Sequence, residues 1–186
     1  MRAPRLFLAM ALGLASCLAI AQPAATTPKA QTIKILDGKF TFTLPAGYTT
    51  TQLPPAAANS EAAGAKGMMY MSDSEKRVVV TTEVPIPNGV EAGDNDDEFL
   101  SGAAIGFINQ QSAALPDFKK TGEKRIKIRK LGVEQIDSTA TMGGGATMTT
   151  TFVAGSGGTM SLVQVISRAS DGTGHAAMVK RVIAGK

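Results

Sequence analysis

Tryptophan is absent from the 186 residues, tyrosine occurs twice, and cysteine and histidine once each. A core without Trp and with few rings has to be built from Val, Ile, Leu, Met and Ala. The lone Cys17 lies in the first apolar stretch, so the rest of the chain carries no thiol and no disulfide. One His and one Cys are too few for a zinc or copper centre, and no cofactor is expected. Hydrolase chemistry needs a base beside a nucleophile, and no Ser stands in a G-x-S-x-G elbow. Apolar content is ordinary, at 44%, which argues against both disorder and a multi-span membrane protein.

What is present first is a leader. Arg2 and Arg5 form a positive region, Leu6 to Leu14 an apolar one, and small residues follow. This three-part order reads as a secretory signal over residues 1–21 and predicts export to the periplasm. Two processing routes stand open. Ala19-Ile20-Ala21 fits an A-x-A site that leaves a soluble chain starting at Gln22. Leu14-Ala15-Ser16-Cys17 is similar to a lipobox, which would leave a lipidated Cys17 as a membrane tether. The apolar Leu18-Ala19-Ile20 after Cys17 favours the soluble form. Without residues 1–21 the chain holds 17 Lys and Arg against 15 Asp and Glu, a net of +2. That balance, with export, argues against a nucleic-acid partner.

Residues 22–31 read as a Pro, Ala and Thr tether, and 32–186 as one folded domain. Ile33 and Ile35, then Phe40, Phe42 and Leu44, alternate with polar residues around Asp37-Gly38. That is a hairpin with a turn able to take positive φ. Residues 52–66 read as a loop. Residues 67–72 and 77–85 read as a second hairpin, with Val78-Val79-Val80 in a covered strand. Residues 96–115 read as the main helix, capped by an acidic N-terminus and ended by Pro116. Gly102 and Gly106 inside it suggest a close approach to the sheet. Strands over 125–130, 133–142, 146–153 and 160–168, joined by short Gly turns, make a meander. A last helix covers about 173–184, capped by Asp171. The class is therefore α+β, with an antiparallel sheet covered by a long helix and a C-terminal helix.

The run Leu36-Asp37-Gly38-Lys39-Phe40-Thr41-Phe42-Thr43-Leu44-Pro45 resembles the opening of the DcrB family of bacterial envelope proteins. The order of the later elements is similar over about Ile33 to Ala184. The resemblance implies a PsbP-like α/β/α sandwich with no established enzyme activity. Members are envelope lipoproteins linked to phage uptake, or cytoplasmic chaperones that shield apolar helices of secreted toxins. Cys17 falls where the family's lipidated cysteine would stand. The signal sequence argues against the cytoplasmic role in its usual compartment.

Other features read as structure. His175 is expected as an exposed residue at the start of the last helix. Asp94, Asp96, Asp97 and Glu98 lack calcium-loop spacing and suit a helix N-terminus. The Gly143–Gly145 and Gly155–Gly158 runs precede strands, so they are hairpin turns and not phosphate loops. The seven methionines from Met68 to Met178 are expected to fill the core, although Met also adapts to varied apolar partners. Arg125, Lys127 and Arg129 would share one strand face, as a solvated edge or as a contact for an anionic surface. The sequence thus predicts a non-enzymatic exported binding or scaffold protein. Its partner would be an envelope protein or the membrane surface, with no small-molecule substrate in evidence. The alternative is a chaperone-like module that holds an apolar helix in a groove beside the 96–115 helix.

Overall fold

The structure, a computed structural model, describes residues 28–56 and 63–185; Cys17 and the stretch 1–21 read as a secretory signal lie outside the described residues. The strands are β1 (Gln31–Ile35), β2 (Phe40–Leu44), β3 (Thr49–Gln52), β4 (Lys66–Ser72) and β5 (Arg77–Pro85). Helix α1 (Asp97–Ala114) follows. Then come β6 (Lys119–Ile128), β7 (Leu131–Met142), β8 (Gly145–Ser156), β9 (Thr159–Arg168) and helix α2 (Gly172–Ala184).

Seven strands form one antiparallel sheet in the order β3-β4-β5-β9-β8-β7-β6. Helix α1 packs on one face, against β7 and β8. The opposite face carries a second layer in the order β1, β2, α2, because among the described residues β1 pairs only with β2, and α2 packs against β2. The architecture is α+β, with the sheet between two covering layers, as the alternation and the helical spacings predict.

The β1–β2 hairpin turns through Leu36, Asp37 and Gly38, all at positive φ, where Asp and Gly are tolerated. Phe40, Phe42 and Leu44 are fully buried beneath it. Phe40 meets Phe42 and Phe152 edge-on, with ring centroids 6.1 and 6.3 Å apart. Each such side chain contributes about 1.5–3 kcal/mol by leaving water, so these three rings anchor the layer. Carbonyl Pro28 accepts from the amide of Gly47 at 2.8 Å, which draws Pro28–Gln31 into the fold.

Helix α1 starts at Asp96, whose carboxylate accepts from the Phe99 amide at 2.9 Å. It buries Leu100, Ala104 and Phe107, the last two against Ile136 and Val153. Helix α2 starts at Asp171, which accepts from the Gly174 amide at 3.0 Å, and ends on Gly185 at φ 63.

Three local expectations are corrected. Gly102 and Gly106 do not face the sheet: both are exposed, and a Cβ at either would meet nothing within 4 Å. Strand β6 begins at Lys119, six residues before Arg125, because the ladder with β7 carries it past a register shift between Lys120 and Gly122. Strand β3 takes Gln52 from the start of the expected 52–66 loop, together with residues 49–51, which the sequence pattern assigns to no element; all four residues are exposed.

Candidate functional site

Beneath the N-terminus of α2 lies a continuous polar relay. Arg77 opens β5 and its side chain is only 6% exposed. Its Nε donates to Ser167 Oγ on β9 at 3.1 Å. Its two terminal nitrogens form ion pairs with Glu75 and Asp171. The Tyr48 hydroxyl donates to Glu75 at 2.8 Å, and burial together with that carboxylate pushes the phenol up to about 12. The Gly174 amide and Arg77 hold Asp171 below the usual carboxylate range. A cleft of about 500 Å³ opens over Glu75 and Asp171, between Pro45 and the Ala177–Arg181 side of α2.

The relay continues through the one histidine. His175 was expected to be exposed; it is 8% exposed, because α2 turns it onto the sheet. Its Nδ1 lies 3.0 Å from Ser167 Oγ, and its Nε2 lies 2.9 Å from Thr150 Oγ1 on β8. Thr150 also reaches Asp137 on β7 at 2.6 Å. Burial holds the imidazole below its ordinary pKa of 6.5. Sequence reasoning recognised Asp171 as a cap but missed Tyr48, Glu75 and Arg77. The available signal was an Arg immediately before the Val78-Val79-Val80 run, a charge at the mouth of a covered strand.

A second feature lies on the other face. Register places Met69, Val80, Gln164, Thr151 and Ile136 in one row. The next row is Met71, Val78, Ile166, Thr149 and Ser138. Helix α1 covers the β7–β8 end of these rows and leaves the β4–β5 end open. Met69, Met71, Val78, Val80 and Ile166 therefore line a shallow apolar groove of about 360 Å³, with Lys76 and Arg168 on its rim. The reading of the methionines as core filling holds for Met178 and for Met68 and Met160, which pack against the cores, and is corrected for Met69 and Met71, which line the groove. Of Met68, Met69, Met71, Met142, Met148, Met160 and Met178, only Met178 is buried, and Met71 is 37% exposed.

The basic strand is the sheet edge, and its cations differ. Arg125 is tied to Asp97 of α1 and, at 2.6 Å, to Glu134 of β7. Lys127 is exposed. Arg129 lies beyond the strand, at φ 57 in the turn to β7, and donates to the Gly185 carbonyl at 2.9 Å. Arg125 and Arg129 thus reach opposite layers, α1 and the end of α2, instead of sharing one face. Asp94 is bound by Lys39 at 2.8 Å and Ser156 at 2.7 Å, which lower its pKa. Among the described residues, no group of three His, Cys, Asp or Glu is placed to hold a metal ion.

The fold has relatives among solved structures. Cyanobacterial PsbP (CyanoP) from Synechocystis sp. PCC 6803 superimposes with a TM-score of 0.59. It shares 9% identity over 89% of this chain and 95% of that one. The fold is PsbP-like. A protein of unknown function from Pseudomonas aeruginosa aligns with a TM-score of 0.46 and 13% identity, over 83% of this chain and 94% of that one. No family model matches the chain, and no curated protein matches its sequence. Likeness at these identities speaks for the fold alone.

Proposed function

We propose that this chain is an exported, non-enzymatic binding protein of the cell envelope, of the DcrB type, and that its working surface is the open apolar groove beside α1. The observation that carries this reading is the uncovered β4–β5 end of the sheet. Met69, Met71, Val78, Val80 and Ile166 form a contiguous apolar strip rimmed by charge, the pattern of a surface made to be covered by a partner. Methionine suits such a surface because its unbranched side chain repacks against different shapes. The occupant is an apolar helix of a partner protein, lying along α1 in the manner of a helix in a groove.

The leader supports export, and the LDGKFTFTLP run supports the DcrB assignment. The buried relay is read as structure: both His175 nitrogens are engaged by hydroxyls, and Arg77 is matched by two carboxylates. Capture of an apolar helical peptide by the protein tests the groove. Met71→Lys with Ile166→Lys should abolish capture while leaving the melting temperature in place. Capture unchanged by this pair, or no capture at all, would remove the reading. The intact mass of the protein from its native envelope tests export: a chain starting at Gln22 or a lipidated Cys17 supports it, and a retained Met1 leader opposes it.

A further inference from the structure

Among the described residues, strand β1 pairs only with β2, in the register Gln31↔Leu44 to Ile35↔Phe40, and its outer edge has no partner strand. In an antiparallel ladder, successive residues point their N–H and C=O alternately toward and away from the partner strand. The Leu36 amide points away from β2 and is taken by Glu83 Oε1 at 2.7 Å. Stepping back by two residues places the backbone groups of Lys34 and Thr32 on the same outer edge. The side chains of Thr32 and Thr43 agree: their hydroxyls approach to 3.5 Å, as expected of a directly opposed pair without mutual backbone bonds.

This edge borders a cleft of about 570 Å³ at the β4 side of the main sheet. Half-buried Met68 of β4 lies in its floor beside Tyr70, whose ring is already packed in the core, and Gln52 and Lys66 also line it. Side chains brace the two ends, Gln31 against Tyr48 and Thr50, and Glu83 against Leu36. Lys34 and Lys66 are both exposed, and among the described residues neither forms an ion pair. The other free edges are unlike this one. Strand β6 is blunted by its lysines and its register shift, and β3 is a four-residue strand exposed throughout.

We propose that the outer edge of β1 and the half-buried Met68 beside it form an acceptor groove for an extended peptide that alternates apolar and acidic residues. The peptide adds as a third strand to the hairpin, bonding the N–H and C=O groups of Thr32 and Lys34. Its apolar side chains cover Met68, and its carboxylates face Lys34 and Lys66. This groove lies on the sheet face opposite the Met71–Ile166 strip, so it stands independently of the function proposed above.

The probes are the acetylated and amidated peptides Thr-Val-Glu-Val-Glu-Val-Thr and Thr-Val-Lys-Val-Lys-Val-Thr, with the first also N-methylated at alternate residues along either edge. The acidic peptide should bind, slow amide exchange at Thr32 and Lys34, and fail when methylated on the pairing edge only. Lys34→Glu with Lys66→Glu should weaken the acidic peptide about tenfold and favour the basic one. Both positions are exposed, so the melting temperature should hold, and Ile166→Lys should leave this binding unchanged. Absence of binding, equal binding of both peptides, or binding without protection of Thr32 and Lys34 would overturn the proposal. So would binding of dodecanoate in place of the peptide, which would make the cleft a site for amphiphilic anions.

Discussion

His175 Nε2 and Thr150 Oγ1 are 2.9 Å apart, and the proton between them has one consistent home. Thr150 gives its only hydroxyl proton to Asp137, so it accepts from His175. The imidazole is therefore neutral with its proton on Nε2, and Nδ1 accepts from Ser167, which in turn accepts from Arg77 Nε. Every donor in the run Arg77–Ser167–His175–Thr150–Asp137 points one way. Nitrogen-15 chemical shifts of the ring should show the Nε2–H tautomer at neutral pH.

Acid should loosen α2. Burial keeps the folded-state pKa of His175 below its ordinary 6.5, so the unfolded chain takes up the proton first as pH falls. Its contribution to stability is complete above pH 6.5 and is lost as pH drops toward the lowered value. A protonated ring would also have to donate from Nδ1 to Ser167, displacing the proton Ser167 now gives. Melting temperatures from pH 8 to 5 should fall more steeply for the native chain than for His175→Phe. His175→Ala should cost about 2 kcal/mol at pH 8, because Ser167 and Thr150 lose a buried partner.

Arg77→Met should destabilise by about 3 kcal/mol, read as a shift in the urea midpoint. It leaves Glu75 and Asp171 facing each other without the cation between them, and leaves Ser167 without its donor. Arg77→Lys should restore little, since a lysine offers no planar fork to reach three partners at once.

Glycines should divide sharply. A Cβ at Gly155 would lie 2.9 Å from the Ala92 Cβ and closer still to the Phe99 ring, so Gly155→Ala should cost about 1–3 kcal/mol. Gly102→Ala and Gly106→Ala, on the open side of α1, should each stabilise by about 0.5–1 kcal/mol. Thermal denaturation of the three variants checks both signs together.

The basic edge is best probed away from Arg125. Removing that guanidinium strands Glu134, whose side chain is 7% exposed, and Arg125→Ala should cost about 1–2 kcal/mol. Lys119, Lys124 and Lys127 are exposed, and their replacement by Glu should change stability by no more than about 0.5 kcal/mol each. Cosedimentation with anionic vesicles, compared between the native chain and this triple variant, then reports on membrane contact without a folding artefact.

Much of the fold was legible in short-range pattern. The Ile33–Leu44 alternation, the helical spacing through Leu100, Ala104 and Phe107, and the Gly-separated meander each appear as expected. What depended on distant partners was not legible. Strand β3 exists because β4 pairs with it, and the first residues of β6 are held by β7. The site was least legible of all. Arg77, Ser167, His175, Thr150 and Asp137 come from five elements, and no spacing along the chain announces that they meet. Met69 and Met71 misled for a related reason: strand periodicity assigns a face, but it does not say whether a helix reaches far enough to cover it.

The placing of β9 between β5 and β8 has a consequence for how the chain acquires its shape. Strand β5 is made early, yet its second neighbour is synthesised only after α1 and β6 to β8, with Val80 waiting for Gln164. Until then Val78, Val79 and Val80 form a bare, strongly β-prone edge, the kind of transient surface that invites pairing with another molecule. Joining residues so far apart in the chain makes closure of the sheet a late, entropically costly step and predicts slow folding. A nascent chain of this protein is therefore most in need of assistance in the interval between completion of β5 and arrival of β9.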